Sequence, residues 1–163
     1  MKKKVIIIIS WILVVSWMGL IFYFSSMNGV ESTNKSVKAI ETTIKKTVEA
    51  TNEVGITNKN VESKKVAEVA EKMNFPVRKV LHAFEYFVLT LLLINALYQS
   101  GVRGNKIYVI SFVISVLYAL TDEYHQLFTE RTSSLIDVLI DTLGVILSII
   151  LINIILRLKK KKI

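Results

Sequence analysis

Four apolar runs alternate with polar stretches along the 163-residue chain, at 5–24, 86–98, 107–120 and 135–156. The first and last reach about 20 residues, which lets an α-helix cross a hydrocarbon core of about 30 Å. The middle two give only about 20 Å of helix at 1.5 Å per residue, so neighbouring polar residues must complete each span. The pattern therefore predicts an all-α integral membrane protein. Its four transmembrane helices would lie at about 5–24, 78–99, 106–126 and 135–157, in one domain covering 1–163.

The polar segment 25–76 separates the first two spans and is too long for a turn. Apolar positions recur in it at helical spacing, at 37, 40, 44 and 48 and again at 66, 69 and 73. Gly55 lies between the two sets and indicates a break between two short amphipathic helices. We predict a helical insertion that rests on the membrane face or on the bundle. A solvated, partly disordered loop is the alternative.

Composition supports a membrane protein, since 52% of the residues are hydrophobic and the mean hydropathy is +0.49. The net charge of +8 does not indicate a nucleic-acid partner, because the basic residues flank apolar runs and form no binding motif. The absence of cysteine excludes disulfides, thiolate catalysis and cysteine-ligated metals. The first run is longer than a signal-peptide core and lacks a cleavage site, which favours a retained helix.

The basic residues also predict an orientation. With four spans, one side of the membrane receives Lys2–Lys4, Arg103, Lys106, Arg157 and Lys159–Lys162, and no acidic residue. Because basic loops stay in the cytoplasm, we expect a multi-pass protein of the cytoplasmic membrane with both termini inside. The insertion and the polar residues at the opposite ends of the helices would then be extracytoplasmic.

Ionisable residues are concentrated in two groups beside the apolar runs, and both histidines fall within them. The first group is Arg78, Lys79, His82 and Glu85, and the second is Asp122, Glu123, His125, Gln126, Glu130, Arg131, Asp137 and Asp141. Residues three and four apart share a helix face, and a charge at bilayer depth costs at least about 2.5–3.5 kcal/mol. These faces should therefore turn toward each other and form one polar site. The surplus of acid invites either protonation of some carboxyl groups or a bound cationic partner.

Several readings of this site remain open. The polar residues could only fix the packing of the helices. His82, Glu85 and His125 are suitable metal ligands but lack zinc-type spacing, so neither a metal nor a cofactor is predicted. A triad using Ser133 or Ser134 lacks a nucleophile-elbow motif. General acid–base catalysis by His82 with a nearby carboxylate is chemically reasonable, although no spacing selects a substrate.

Ordered motifs carry a resemblance over most of the chain. They are F-S-S at 24–26 with Ser32 and Ser36, V-R-K-V-L-H-A-F-E-Y at 77–86, D-E-Y-H-Q-L-F at 122–128, Arg131, and D-V-L-I-D-T-L-G at 137–144. Together they resemble the VanZ-like family of small bacterial membrane proteins. One departure is Thr129-Glu130, where many members have a Pro-Gly-type turn. The resemblance implies a link to teicoplanin resistance and a set of site residues. Candidates for catalysis are His82, Glu85, Asp122, Glu123 and Asp137, and candidates for ligand binding are Arg78, Lys79, Gln126 and Arg131.

The leading hypothesis is a cell-envelope protein that binds or acts on a lipid-linked or lipophilic molecule at the outer leaflet. The partners would be membrane lipids and a lipid-linked envelope precursor or a lipophilic glycopeptide, with no nucleic acid. Arg78, Lys79 and Arg131 would contact a phosphate or carboxylate. The alternative is a non-catalytic binding or scaffold protein, and the residues do not decide between catalysis and binding. A proton-coupled carrier is a third class, disfavoured because the chain shows no internal repeat.

Overall fold

The computed structural model describes residues 2–26, 29–53, 63–128 and 134–160. These ranges contain helices and short turns but no β-strand, so the all-α prediction is confirmed. The described helices are α1 (Lys2–Ser26), α2 (Gly29–Glu53), α3 (Ser63–Gln99), α4 (Lys106–Gln126) and α5 (Leu135–Lys160).

Four of these helices are long and apolar enough to cross a membrane: α1, α3, α4 and α5. Their number and order are those that the apolar runs predict, and α4 coincides with the predicted span 106–126. Polar residues also extend this helix as predicted: α4 continues past Asp122 and ends at Gln126. The protein is therefore a multi-pass membrane protein by length and composition of its helices.

The second membrane helix is longer than its sequence pattern indicates. We expect a span beginning near 78, but α3 begins at Ser63 and runs through Pro76. Its 37 residues measure about 55 Å, well beyond the hydrocarbon core. Val66 and Ala70, before the proline, and Val77, after it, lie at helical spacing on one apolar face. The apolar face therefore continues past Pro76, and so does the helix. The stretch expected to be a separate amphipathic helix is thus the beginning of α3, and Gly55 lies outside the described residues.

Helix α2 packs along the first part of α3. The apolar positions that predict an amphipathic helix are all partly buried, whereas most of the intervening lysines and glutamates are exposed. On α3, Val66 and Ala70 are buried in the part that α2 covers. This packing places α2 beside the polar residues at the start of the transmembrane part of α3.

The four helices that are long enough to cross a membrane, α1, α3, α4 and α5, alternate in direction, so the bundle has two chemically different ends. We call the end formed by the start of α1, the α3–α4 turn and the end of α5 the basic end, and the opposite end the polar end. Gly101 and Gly104 adopt positive φ angles of 96° and 68° in the α3–α4 turn, a conformation that glycine tolerates best. The indole N–H of Trp11 donates a hydrogen bond of 3.0 Å to Ser100 Oγ and fixes α1 beside this turn.

The interior combines apolar packing with hydrogen bonds between helices. Tyr86, Leu89 and Leu93 of α3 are fully buried in a cluster with residues of α1, α4 and α5. Thr90 Oγ1 lies 2.9 Å from Ser115 Oγ and joins α3 to α4. Such hydroxyl contacts, together with small residues, allow close helix packing where lipid offers no hydrophobic drive.

Gly144 marks the point where α5 crosses α3 with the two backbones in contact. A Cβ atom at this position would collide with the carbonyl oxygen of Ala83. Gly144 lies on the same helical stripe as Asp137 and Asp141, so the crossing is on the face of α5 that carries the carboxylates. The crossing therefore sets the depth at which the carboxylates of α5 face α3.

Candidate functional site

A cavity of about 270 Å³ lies at the polar end, between α2, α3, α4 and α5. The start of the transmembrane part of α3, the end of α4 and the beginning of α5 supply most of its charged and polar side chains. Its lining includes Thr33, Asn74, Phe75, Arg78, Lys79, His82, Glu123, Gln126, Asp137, Ile140 and Asp141. We call this the polar cavity. It brings together side chains from both of the ionisable groups in the sequence.

Ion pairs and hydrogen bonds join the walls of the polar cavity. Lys79 Nζ pairs with Asp137 Oδ1 and ties α3 to α5. Within α3, His82 Nδ1 lies 3.2 Å from Glu85 Oε2, one helical turn away. The backbone N–H of Ser134 donates a 3.0 Å hydrogen bond to Glu123 Oε2. The start of α5 is therefore held against the end of α4 by a carboxylate from within the site.

Within the described part of the chain, Arg78 and Asp141 of the polar cavity form no ion pair of this kind. Arg78 Nη1 donates one long hydrogen bond, 3.4 Å, to Thr33 Oγ1, and no carboxylate of the described residues forms a salt bridge with it. Asp141 is only 2% exposed, yet its Oδ1 receives no hydrogen bond within the described part of the chain. A buried carboxylate without donors is costly in a low-dielectric interior. Both groups line the same cavity, from facing helices.

A buried polar layer lies next to the polar cavity. Asp122, 2% exposed, accepts a 3.1 Å hydrogen bond from Gln126 Nε2 on the same helix. Tyr86 is wholly buried, within electrostatic range of Asp122 and Asp141. Its hydroxyl group has no hydrogen-bond partner among the described residues. The layer thus places the Asp122 carboxyl group and the Tyr86 phenol, both buried, beside the cavity that Asp141 lines.

An apolar groove of about 530 Å³ adjoins the polar cavity, between α1, α2 and α3. Aromatic and aliphatic side chains provide most of its surface, with a few polar groups at one margin. Its lining includes Trp17, Tyr23, Phe24, Ala39, Ile40, Val77, Leu81 and Phe84, with Lys35, Ser36, Arg78, His82 and Glu85. Arg78 and His82 line the groove as well as the cavity. The apolar groove and the polar cavity are therefore two compartments that share a boundary.

The structure brings most of the predicted site residues to one or the other of these two compartments. Arg78, Lys79, His82, Glu123, Gln126 and Asp137 line the polar cavity, and Glu85 lines the apolar groove. Asp122 lies deeper, in the buried layer. Arg131 and the Thr129-Glu130 turn lie outside the described residues.

His125 does not join the other histidine. Its ring packs on Phe22 of α1 with the ring centroids 4.2 Å apart, away from the polar cavity. The sequence pattern groups both histidines in one polar site, whereas His125 is absent from the lining of the polar cavity because position 125 of α4 packs against α1. Among the described residues, no three His, Asp or Glu side chains are grouped closely enough to hold a metal ion.

Some residues of the site are absent from the catalytic and ligand-binding candidates. Asp141 belongs to the second ionisable group of the sequence but is not among the candidates for either role. Tyr86, in the buried layer, could have been found, since it lies one helical turn beyond His82. Thr33 and Asn74 carried no such signal, because they reach the cavity only through the packing of α2 on α3.

Comparison with known proteins gives one family. The family model described as VanZ/LLP1 matches residues 10–156, a range that contains the polar cavity and the apolar groove. Searches of curated proteins and of solved structures found no match.

Proposed function

The chain belongs to the VanZ/LLP1 family, and we propose that it binds a lipid-linked or lipophilic molecule of the cell envelope. The polar part of the ligand would occupy the polar cavity, and its apolar part would occupy the apolar groove. The site would open toward the outer leaflet of the cytoplasmic membrane, because the basic end, with eight lysine and arginine residues in the described chain, favours a cytoplasmic location.

The observation that carries this proposal is the shared boundary of the two compartments. Arg78 and His82 line both a cavity rich in charge and a groove rich in aromatic and aliphatic side chains. A molecule that fills both must itself have a polar and an apolar part. Ionisable residues at membrane depth are expensive and usually functional, which supports a binding role for this boundary over simple helix packing.

A catalytic role is the further step of the same proposal. His82 and Glu85 form a pair of the kind that transfers protons in general acid–base catalysis. Incubation of the purified protein with envelope lipids, followed by mass spectrometry of the extract, separates turnover from binding. New products that depend on His82 support catalysis, whereas unchanged lipids support binding alone.

A photoactivatable phospholipid with a diazirine in its acyl chain tests occupation of the groove. Leu81→Trp fills the apolar groove, whereas Val80→Trp places the same side chain at the adjacent, exposed position that does not line it. We expect Leu81→Trp to reduce labelling of the groove several-fold and Val80→Trp to leave it unchanged. Equal labelling in both variants contradicts the proposal.

The family membership also suggests a role in teicoplanin resistance. We expect overexpression in a susceptible Gram-positive host to raise tolerance to teicoplanin more than tolerance to vancomycin.

The near-isosteric variants Glu85→Gln and Asp122→Asn should keep the folded yield and lose this phenotype. If folded protein and phenotype decline in parallel, the polar residues act as a packing scaffold, which is the competing function. The ion pair between Lys79 of α3 and Asp137 of α5 is the observation that favours the packing scaffold.

A further inference from the structure

We infer that the amphiphile is zwitterionic: its phosphate binds Arg78 and its primary ammonium group binds Asp141, while an acyl chain lies in the apolar groove. This inference rests on the proposed function and specifies the chemistry of the ligand.

The first step is the balance of charge inside the polar cavity. Lys79 is matched by Asp137, and His82 faces Glu85. Glu123 accepts a backbone hydrogen bond from Ser134. After these pairings, the hydrogen bond of 3.4 Å to Thr33 is the one polar contact that Arg78 makes with the described residues. The ligand is therefore expected to bring an anion to Arg78, whose planar guanidinium suits the oxygens of a phosphate.

The second step concerns Asp141, which lines the same cavity from the facing helix. Its side chain is buried and its Oδ1 receives no hydrogen bond from any described residue. An ammonium group supplies both N–H donors and positive charge, and such charge-assisted hydrogen bonds are about twice as strong as neutral ones. A quaternary ammonium lacks the donor, and a hydroxyl lacks the charge. The fully buried Tyr86 hydroxyl, also without a partner in the described chain, is a second polar group in this region.

The third step is the order of the groups. Arg78 lines both compartments, whereas Asp141 lines only the polar cavity. A phosphate on Arg78 would therefore lie at the boundary, with the ammonium group further into the cavity and the chain leaving through the groove. Phosphoethanolamine lipids have this sequence of groups: ammonium, phosphate, chain.

The experiment measures the affinity of the full-length protein, by native mass spectrometry titration in detergent, for lipids with identical acyl chains. The lipids are phosphatidylethanolamine, its N-acetylated derivative, phosphatidylcholine and phosphatidylglycerol. We expect phosphatidylethanolamine to bind roughly tenfold more tightly than the other three, which corresponds to one charge-assisted hydrogen bond. Because N-acetylation removes the charge from the ligand itself, this comparison does not depend on a variant that folds.

Two variants assign the groups to their residues. Asp141→Asn should lower the affinity for phosphatidylethanolamine to that for phosphatidylglycerol and leave the latter unchanged. Arg78→Gln should weaken all four lipids about tenfold, since each carries the phosphate. Glu68→Gln, on the exposed outer part of α3, is the control and should leave the affinities for all four lipids unchanged.

The outcomes separate the two proposals. Measurable but equal binding of the four lipids by the unchanged protein overturns the zwitterion assignment and leaves the proposed function intact. A preference for phosphatidylglycerol also overturns it, since the cavity would then select anions alone. If Asp141→Asn folds and keeps the preference, the ammonium site is elsewhere. No binding of any lipid contradicts the proposed function itself.

Discussion

Gly144 shows how a single missing side chain determines the geometry of this site. Its α-hydrogen is what allows α5 to touch the backbone of α3 at Ala83. Because the contact is with backbone, a larger residue cannot be accommodated by a change of rotamer. The spacing of the two helices at the carboxylates of α5 follows from this one position.

We predict that Gly144→Ala lowers the melting temperature of the purified protein. Overpacking typically costs about 1–3 kcal/mol, more than the gain of about 1 kcal/mol from the helix propensity of alanine. Gly19→Ala is the matched control, because a Cβ atom there has nothing within 4 Å. It should leave the melting temperature unchanged or raise it. Equal stability of the two variants would contradict the close crossing.

The Lys79–Asp137 ion pair makes a second prediction at the residue scale. Its side chains are 23% and 25% exposed, against 74% and 65% for the Lys72–Glu68 pair, which begins about two turns closer to the start of the same helix. A double-mutant cycle with Lys79→Met and Asp137→Asn should give a coupling energy in the range of about 0.5–3 kcal/mol. The same cycle at Lys72 and Glu68 should give about 0.3–0.5 kcal/mol, because solvent screens it. Equal couplings would show that the inner pair is as hydrated as the outer one.

Among the helices, α2 has the role that least follows from its own sequence. Its amphipathic pattern predicts a helix, but the pattern is equally compatible with the membrane surface and with the bundle. In the structure α2 packs on α3, and Thr33 thereby reaches the polar cavity. The helix consequently forms one wall of the site.

Cross-linking tests this placement, and the absence of native cysteine makes the test clean. Thr33→Cys combined with Asn74→Cys should cross-link with a short bismaleimide, since both positions line the same cavities. Thr51→Cys combined with Asn74→Cys should not, because Thr51 lies about 27 Å further along α2. Cross-linking of the second pair alone would mean that α2 runs in the opposite direction.

Local periodicity explains which parts of the fold and site were predictable. Apolar runs show the membrane helices, and three- and four-residue spacing shows that His82 and Glu85 share a face. The same spacing could not show that α3 passes through Pro76, since a proline is compatible with both a boundary and a kink. It also could not place Thr33 beside Arg78, 45 residues apart. Such contacts depend on packing between helices, which no local pattern contains.

At the scale of the whole molecule, the distribution of charge predicts the orientation in the membrane. Among the described residues, the basic end contains eight lysine and arginine residues and no acidic residue, whereas the acidic residues lie toward the polar end. The positive-inside rule therefore places the basic end in the cytoplasm. The polar cavity would then face the cell envelope.

Cysteine labelling in intact cells measures this orientation. Lys45→Cys on the exposed side of α2 should react with a membrane-impermeant maleimide. Arg103→Cys, in the α3–α4 turn, should react only after permeabilisation. The reverse pattern would place the polar cavity in the cytoplasm and remove the basis for an outer-leaflet ligand.

The backbone contact between Gly144 and Ala83 also gives the bundle a fulcrum. Because the touching backbones cannot move closer together at this point, a change in the angle between α5 and α3 would turn about it, with α5 as a lever. Asp137 lies seven residues from the fulcrum, an arm of about 10 Å, so a tilt of about 10° moves that end by about 2 Å. A rotation this small would widen the mouth of the polar cavity and leave the apolar packing on the far side of the fulcrum nearly undisturbed.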